Sequence, residues 1–115
     1  MKQLEHILQV SCVKWFGLQF PKLTSLLMAI PNGGQRNKIV GAKLKAEGVR
    51  KGCPDLFLAI AKNGFNGLFV ELKYGKNKPT EHQKIMIEKL RAEGYLVEVI
   101  YDFKEFQGLI KNYLA

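Results

Sequence analysis

An α/β fold with a mixed central sheet flanked by helices is what this chain predicts. Three observations carry the expectation. Apolar residues recur at helical spacing near both ends, two central apolar runs are joined by a Gly/Asn-rich segment, and a capped helix follows the second run. The element order reads roughly α-β-α-β-β-α-β-α.

From about Gln3 to Leu18, the positions Leu4, Ile7, Leu8, Ser11 and Trp15 fall at helical spacing and predict an amphipathic helix. Pro21 ends the connection after it. Leu26 to Ile30 is a short apolar run read as a strand, stopped by Pro31-Asn32-Gly33-Gly34. Asn37 to Glu47 reads as a helix, with Ile39, Val40 and Leu44 on one side and Gly48 at its C-terminal end. Two strands follow, Asp55 to Ile60 and Gly67 to Lys73, joined through the hairpin loop Lys62-Asn63-Gly64-Phe65-Asn66-Gly67. Thr80-Glu81-His82-Gln83 fits a capping box after a proline. Ile87 and Leu90 continue from Gln83, which places Gln83 at the start of the core-facing stripe. Gly94 ends that helix and Tyr95 to Tyr101 alternates as a strand. Phe103 to Leu114 reads as a final helix with Phe106, Leu109, Ile110 and Tyr113 inward.

A length of 115 residues suits one domain, 1–115, with a single core. Hydrophobic residues at 47% and charged residues at 24% lie near globular averages and argue against disorder. No apolar run reaches the roughly 18 residues needed to span a bilayer. Met1-Lys2-Gln3-Leu4-Glu5-His6 has no unbroken apolar stretch and is no signal peptide, so a cytoplasmic location is expected. Two cysteines without a CxxC pattern suit reduced thiols. A net charge of +8 favours a polyanionic partner. Arg36, Lys38, Lys43, Lys45, Arg50 and Lys51 crowd the stretch before Pro54-Asp55, and Lys76 and Lys78 follow Lys73. A solvated helix face would account for some of these lysines.

The charges inside the two central strands point to chemistry. Asp55 opens the first apolar run, and Glu71-Leu72-Lys73 closes the second, sixteen residues on. Desolvating unpaired ions is expensive, so such charges need partners. Glu71 and Lys73 share one strand face, and in a hairpin Asp55 can lie on it too. Two converging carboxylates beside an ammonium make a hard-oxygen site suited to Mg²⁺ or Mn²⁺ and to phosphodiester hydrolysis.

Pro31-Asn32-Gly33-Gly34, the segment from Lys45 to Asp55, Glu71-Leu72-Lys73 and Thr80-Glu81-His82-Gln83 together resemble the virus-type replication-repair nuclease (VRR-NUC) domain of the PD-(D/E)xK, restriction-endonuclease-like superfamily. The resemblance covers nearly the whole chain and suggests a stand-alone member from a phage or bacterium. It implies that Asp55, Glu71, Lys73 and Gln83 form the catalytic centre. Glu5 from the first helix, Asp55, Glu71 and the Leu72 backbone carbonyl would be the Mg²⁺ or Mn²⁺ ligands. Cys53 departs from the small apolar residue that often precedes the PD pair, at a position expected to be buried packing. Candidate DNA contacts are Asn32, Gly33, Gly34, Arg36, Lys43, Lys51 and Lys76.

What the resemblance implies is a metal-dependent endonuclease selective for branched DNA such as four-way junctions, working as a homodimer. The alternatives are a catalytically silent DNA-binding module, or a flap- or linear-DNA nuclease subunit targeted by a partner. Individual residues have plainer readings as well. Asp55, Glu71 and Lys73 could form a structural ion-pair network, Glu5 could be an exposed helix glutamate, and Gln83 could serve only the capping box. Asn32-Gly33-Gly34 could be a simple turn, and each lysine solvated surface.

Overall fold

Strand pairing follows from the hairpin and one helical crossover. The structure, a computed structural model, describes residues 2–31 and 38–115. Helix α1 (Lys2–Gln19) leads into a short 3₁₀ helix (Pro21–Leu26), then β1 (Leu27–Ala29) and α2 (Lys38–Ala46). Strands β2 (Leu56–Leu58) and β3 (Leu68–Leu72) precede α3 (Glu81–Ala92), β4 (Leu96–Ile100) and α4 (Phe103–Leu114). The sheet order is β1-β2-β3-β4, antiparallel except for the last pair. A parallel pair needs a crossover, which α3 supplies.

Alternation divides the sheet into two apolar faces. Leu56, Leu58, Leu68, Val70 and Leu72 pack with Cys12 and Phe16 of α1 and with Phe106, Ile110 and Tyr113 of α4. Phe69 and Val97, with Phe57 and Val99 at the margin, meet Ile87 and Leu90 of α3. The Phe57 and Phe69 rings stack across the hairpin with centroids 4.4 Å apart. All five β3 residues are buried, so this strand carries its charge through the interior.

The hairpin loop also closes both C-terminal helix ends. Asn63 Nδ2 donates to the Tyr113 carbonyl (2.8 Å) and Asn66 Nδ2 to the Glu93 carbonyl (2.7 Å). Helix C-termini leave carbonyls unpaired, and these amides satisfy two of them.

Three expectations from the sequence change. On α1, Leu4 and Ile7 of the predicted apolar stripe are exposed, and Cys12 and Phe16 are the fully buried residues. The stretch after Pro21 is a 3₁₀ helix and not a plain connection, with the Thr24 hydroxyl donating back to the Pro21 carbonyl (3.1 Å). On the predicted apolar side of α2, Ile39 is 81% exposed while Leu44 is half-buried. Helical periodicity marks a face but does not guarantee that another element covers it. Among the described residues, no helix is long and apolar enough to cross a membrane.

Candidate active site

The antiparallel register pairs Leu56 with Val70, so the next opposed positions are Asp55 and Glu71. They continue the row of Phe57 and Phe69 on the α3 side of the sheet. Asp55 sits just before β2, where its carbonyl accepts the Ile30 N–H (2.8 Å). Its carboxylate Oδ2 accepts the Leu72 N–H at 2.7 Å, tying the aspartate to the backbone between Glu71 and Lys73.

Glu71 is 2% exposed and Lys73 8%. Lys73 Nζ lies 3.5 Å from Glu71 Oε2, an electrostatic contact at the long limit of hydrogen bonding. The same oxygen accepts from Gln83 Nε2 at 3.0 Å. Glu71 Oε1 is buried with no hydrogen-bond partner among the described residues. An unmet buried carboxylate oxygen is costly and needs a proton or a cation.

Burial raises the Asp55 pKa, against the Leu72 amide, a hydrogen bond with the Glu71 carboxyl and the Lys73 charge, which lower it. Burial, followed by the charge of Asp55, pushes Glu71 up to about 8, with Lys73 pulling the other way. When both are deprotonated, the half-buried Asp55 and buried Glu71 carboxylates outweigh the single Lys73 ammonium, and a hard divalent cation would balance them. The oxygen-donor chemistry of the pair suits a hard cation such as Mg²⁺ or Mn²⁺. Among the described residues, no group of three His, Cys, Asp or Glu comes together to close a ligand cage.

Gln83 does two things at once. Its N–H donates to Thr80 Oγ1 (3.2 Å) and its Oε1 accepts the Thr80 N–H (2.8 Å), completing the capping box. Its remaining amide group holds Glu71. The cap and the site are served by one side chain, so the two readings of this residue are compatible.

Glu5 is half-buried on α1, where its Oε2 accepts from Asn77 Nδ2 at 3.3 Å. Its charge raises the Asp55 pKa, so it acts on the pair electrically from outside a three-carboxylate cluster. Asn77 was not among the residues singled out by sequence, and a contact spanning 72 positions leaves no local pattern to find. Lys43, Lys51 and Lys76 are exposed. Asn32, Gly33, Gly34 and Arg36 lie outside the described residues. Cys53 is a half-buried thiol whose pKa is raised by burial and by the charges of Glu71 and Asp55.

The VRR-NUC domain family matches residues 4–102. The chain belongs to the VRR-NUC family. A solved structure titled as a VRR_NUC domain protein is 31% identical, covering 96% of this chain and 87% of its own, with a TM-score of 0.82. No match is found among curated proteins. The VRR-NUC chain accordingly has a nuclease-type fold, and Asp55, Glu71 and Lys73 all fall inside the matched span.

The raised Glu71 pKa sets an expected pH dependence for this VRR-NUC protein without metal. Its folded-state value, about 8, lies above the ordinary 4.5. The folded chain therefore holds this proton more tightly than the unfolded chain. The resulting stability is fully present below the ordinary value and is lost as pH rises through about 8. Melting in EDTA between about pH 5 and pH 9 should show a larger fall for wild type than for Glu71→Gln. Parallel curves would contradict the assignment.

Proposed function

We propose that this VRR-NUC chain is a divalent-metal-dependent DNA endonuclease selective for branched DNA such as four-way junctions, acting as a homodimer. The observation that carries the hydrolytic part is the half-buried Asp55 opposite the buried Glu71, the unmet Glu71 oxygen and the adjacent Lys73 ammonium. Asp55 and Glu71, with the Leu72 carbonyl, would hold Mg²⁺ or Mn²⁺. When bound, the ion supplies Lewis acidity toward a phosphoryl oxygen and acidifies a water. Gln83 fixes the Glu71 carboxylate through its 3.0 Å contact. Lys73 places positive charge where the phosphoryl group gains negative charge as the P–O bond breaks. Glu5 adds negative charge from α1, held by Asn77.

Exposed Lys43, Lys51 and Lys76, with Arg36 and the Asn32-Gly33-Gly34 segment, are the proposed contacts to the DNA backbone. A junction offers paired strands for paired incisions, and one chain supplies one Asp55–Glu71 pair, so two-fold symmetry suits the substrate. For the dimer interface, the first helix is favoured over the C-terminal one. It exposes Leu4, Ile7, Val10, Val13 and Leu18, whereas Phe106, Ile110 and Tyr113 of α4 are buried.

Cleavage of a labelled four-way junction, measured beside a linear duplex and a flap in Mg²⁺, Mn²⁺ or EDTA, tests the proposal. Metal-dependent cutting of the junction at least about tenfold faster than the duplex is expected, a preference of about 1.4 kcal/mol. Equal rates on all three would remove the structure selectivity. Tight binding without cutting in any metal would favour the binding-module reading.

A further inference from the structure

Gly52 stands in the turn before Pro54 with a left-handed φ of +80°. A Cβ at this position would lie 2.5 Å from the His82 carbonyl oxygen and 2.9 Å from the Gln83 nitrogen. Both are backbone atoms in the first turn of α3, so no side-chain rotation makes room. Gly48 (φ +103°) and Gly64 (φ +85°) differ, because a Cβ at either meets nothing within 4 Å. Alanine would strain the backbone at all three positions, but only at 52 would it also push on a neighbour.

The segments on the two sides of that contact both reach the carboxylate pair. Three residues beyond Gly52 is Asp55, tied to the Leu72 N–H. On the other side, the touched peptide is that of Gln83, whose side chain holds Glu71 Oε2. The close approach of Gly52 is therefore a backbone seam between the Asp55 segment and the amide that orients Glu71. A shift of the α3 first turn large enough to admit a Cβ would draw Gln83 Nε2 out of its 3.0 Å contact.

We infer that Gly52 is a positioning residue, which seats the Gln83 amide against Glu71 and so pre-orients the carboxylate pair for a divalent cation. This rests on the metal-dependent reading of the site. The groups that orient metal ligands govern affinity as well as rate, so metal binding alone provides a readout.

The test uses the full chain as wild type, Gly52→Ala, Gly48→Ala, Gln83→Ala and the double variant Gly52→Ala/Gln83→Ala. Mn²⁺ affinity is measured by calorimetry without DNA, cleavage under single-turnover conditions, and folding by thermal melting. Gly52→Ala should bind Mn²⁺ about tenfold more weakly and cleave about 100-fold more slowly, with half-saturating DNA unchanged. Gly48→Ala should match wild type in both, which isolates the steric contact from backbone strain. The double variant should bind Mn²⁺ no more weakly than Gln83→Ala, because both changes act through one contact. Equal behaviour of the two glycine variants would overturn the inference, as would additive losses in the double variant. A Gly52→Ala chain that does not fold would show that the seam serves the fold, and would overturn it too. A wild type that binds Mn²⁺ without cutting DNA would remove the nuclease reading alone, with the Mn²⁺ comparison still deciding Gly52. A wild type that binds no Mn²⁺ would remove both.

Discussion

Asp55→Asn is expected to slow phosphodiester cleavage by roughly 10³-fold or more while leaving the fold and DNA binding in place. Asparagine keeps an oxygen that can accept the Leu72 N–H, so the 2.7 Å tie between the β2 entrance and β3 survives. What disappears is one of the two negative charges that would hold the cation. Removing the half-buried Asp55 charge also relieves repulsion against Glu71, whose raised pKa owes part of its shift to Asp55. The variant should therefore melt no lower than wild type in EDTA, and DNA should bind at least as well to a less negative site. Single-turnover cleavage and EDTA binding measured side by side check this. Wild-type cleavage by Asp55→Asn would place the chemistry elsewhere.

Lys73→Met is expected to lower cleavage by roughly 10²–10³-fold. Methionine keeps an unbranched apolar stem in a position that is 8% exposed, so packing is largely preserved. The ammonium, 3.5 Å from Glu71, is lost. Lys73 lowers the Glu71 pKa, so its removal should raise that value further. Metal binding requires the deprotonated carboxylate, and the activity of the variant should therefore recover in part as pH rises. A pH–rate profile separates this titration effect from loss of charge stabilisation, which no pH restores. An unchanged rate at every pH would remove Lys73 from the mechanism.

Much of the framework was legible because local pattern and long-range packing agree. Alternation in Gly67 to Lys73 placed Glu71 and Lys73 on one face, and the Gly/Asn-rich loop placed Asp55 opposite them through a hairpin. Thr80 and Gln83 were readable as a capping box because that motif is local, and the box is present. The amide of Gln83 reaching Glu71 depends on how α3 crosses the sheet, which no spacing of residues encodes. The Asn77–Glu5 contact is of the same kind, a loop side chain meeting the first helix across the fold. Ile39 failed for the opposite reason: its helical periodicity was real, but α2 does not bury that residue. The role of Gly52 has no local signal, because the first turn of α3 that lies against it is distant in the chain.

The claim on which the rest depends is that Asp55 and Glu71 form a divalent-cation site. Calorimetric titration of Mn²⁺ into metal-free wild type, Asp55→Asn and Glu71→Gln at about pH 8.5, above the raised Glu71 pKa, tests it most directly. Saturable binding by wild type that is weakened at least about tenfold in each variant is the predicted result. No binding by wild type, or binding that both variants retain unchanged, would contradict the account.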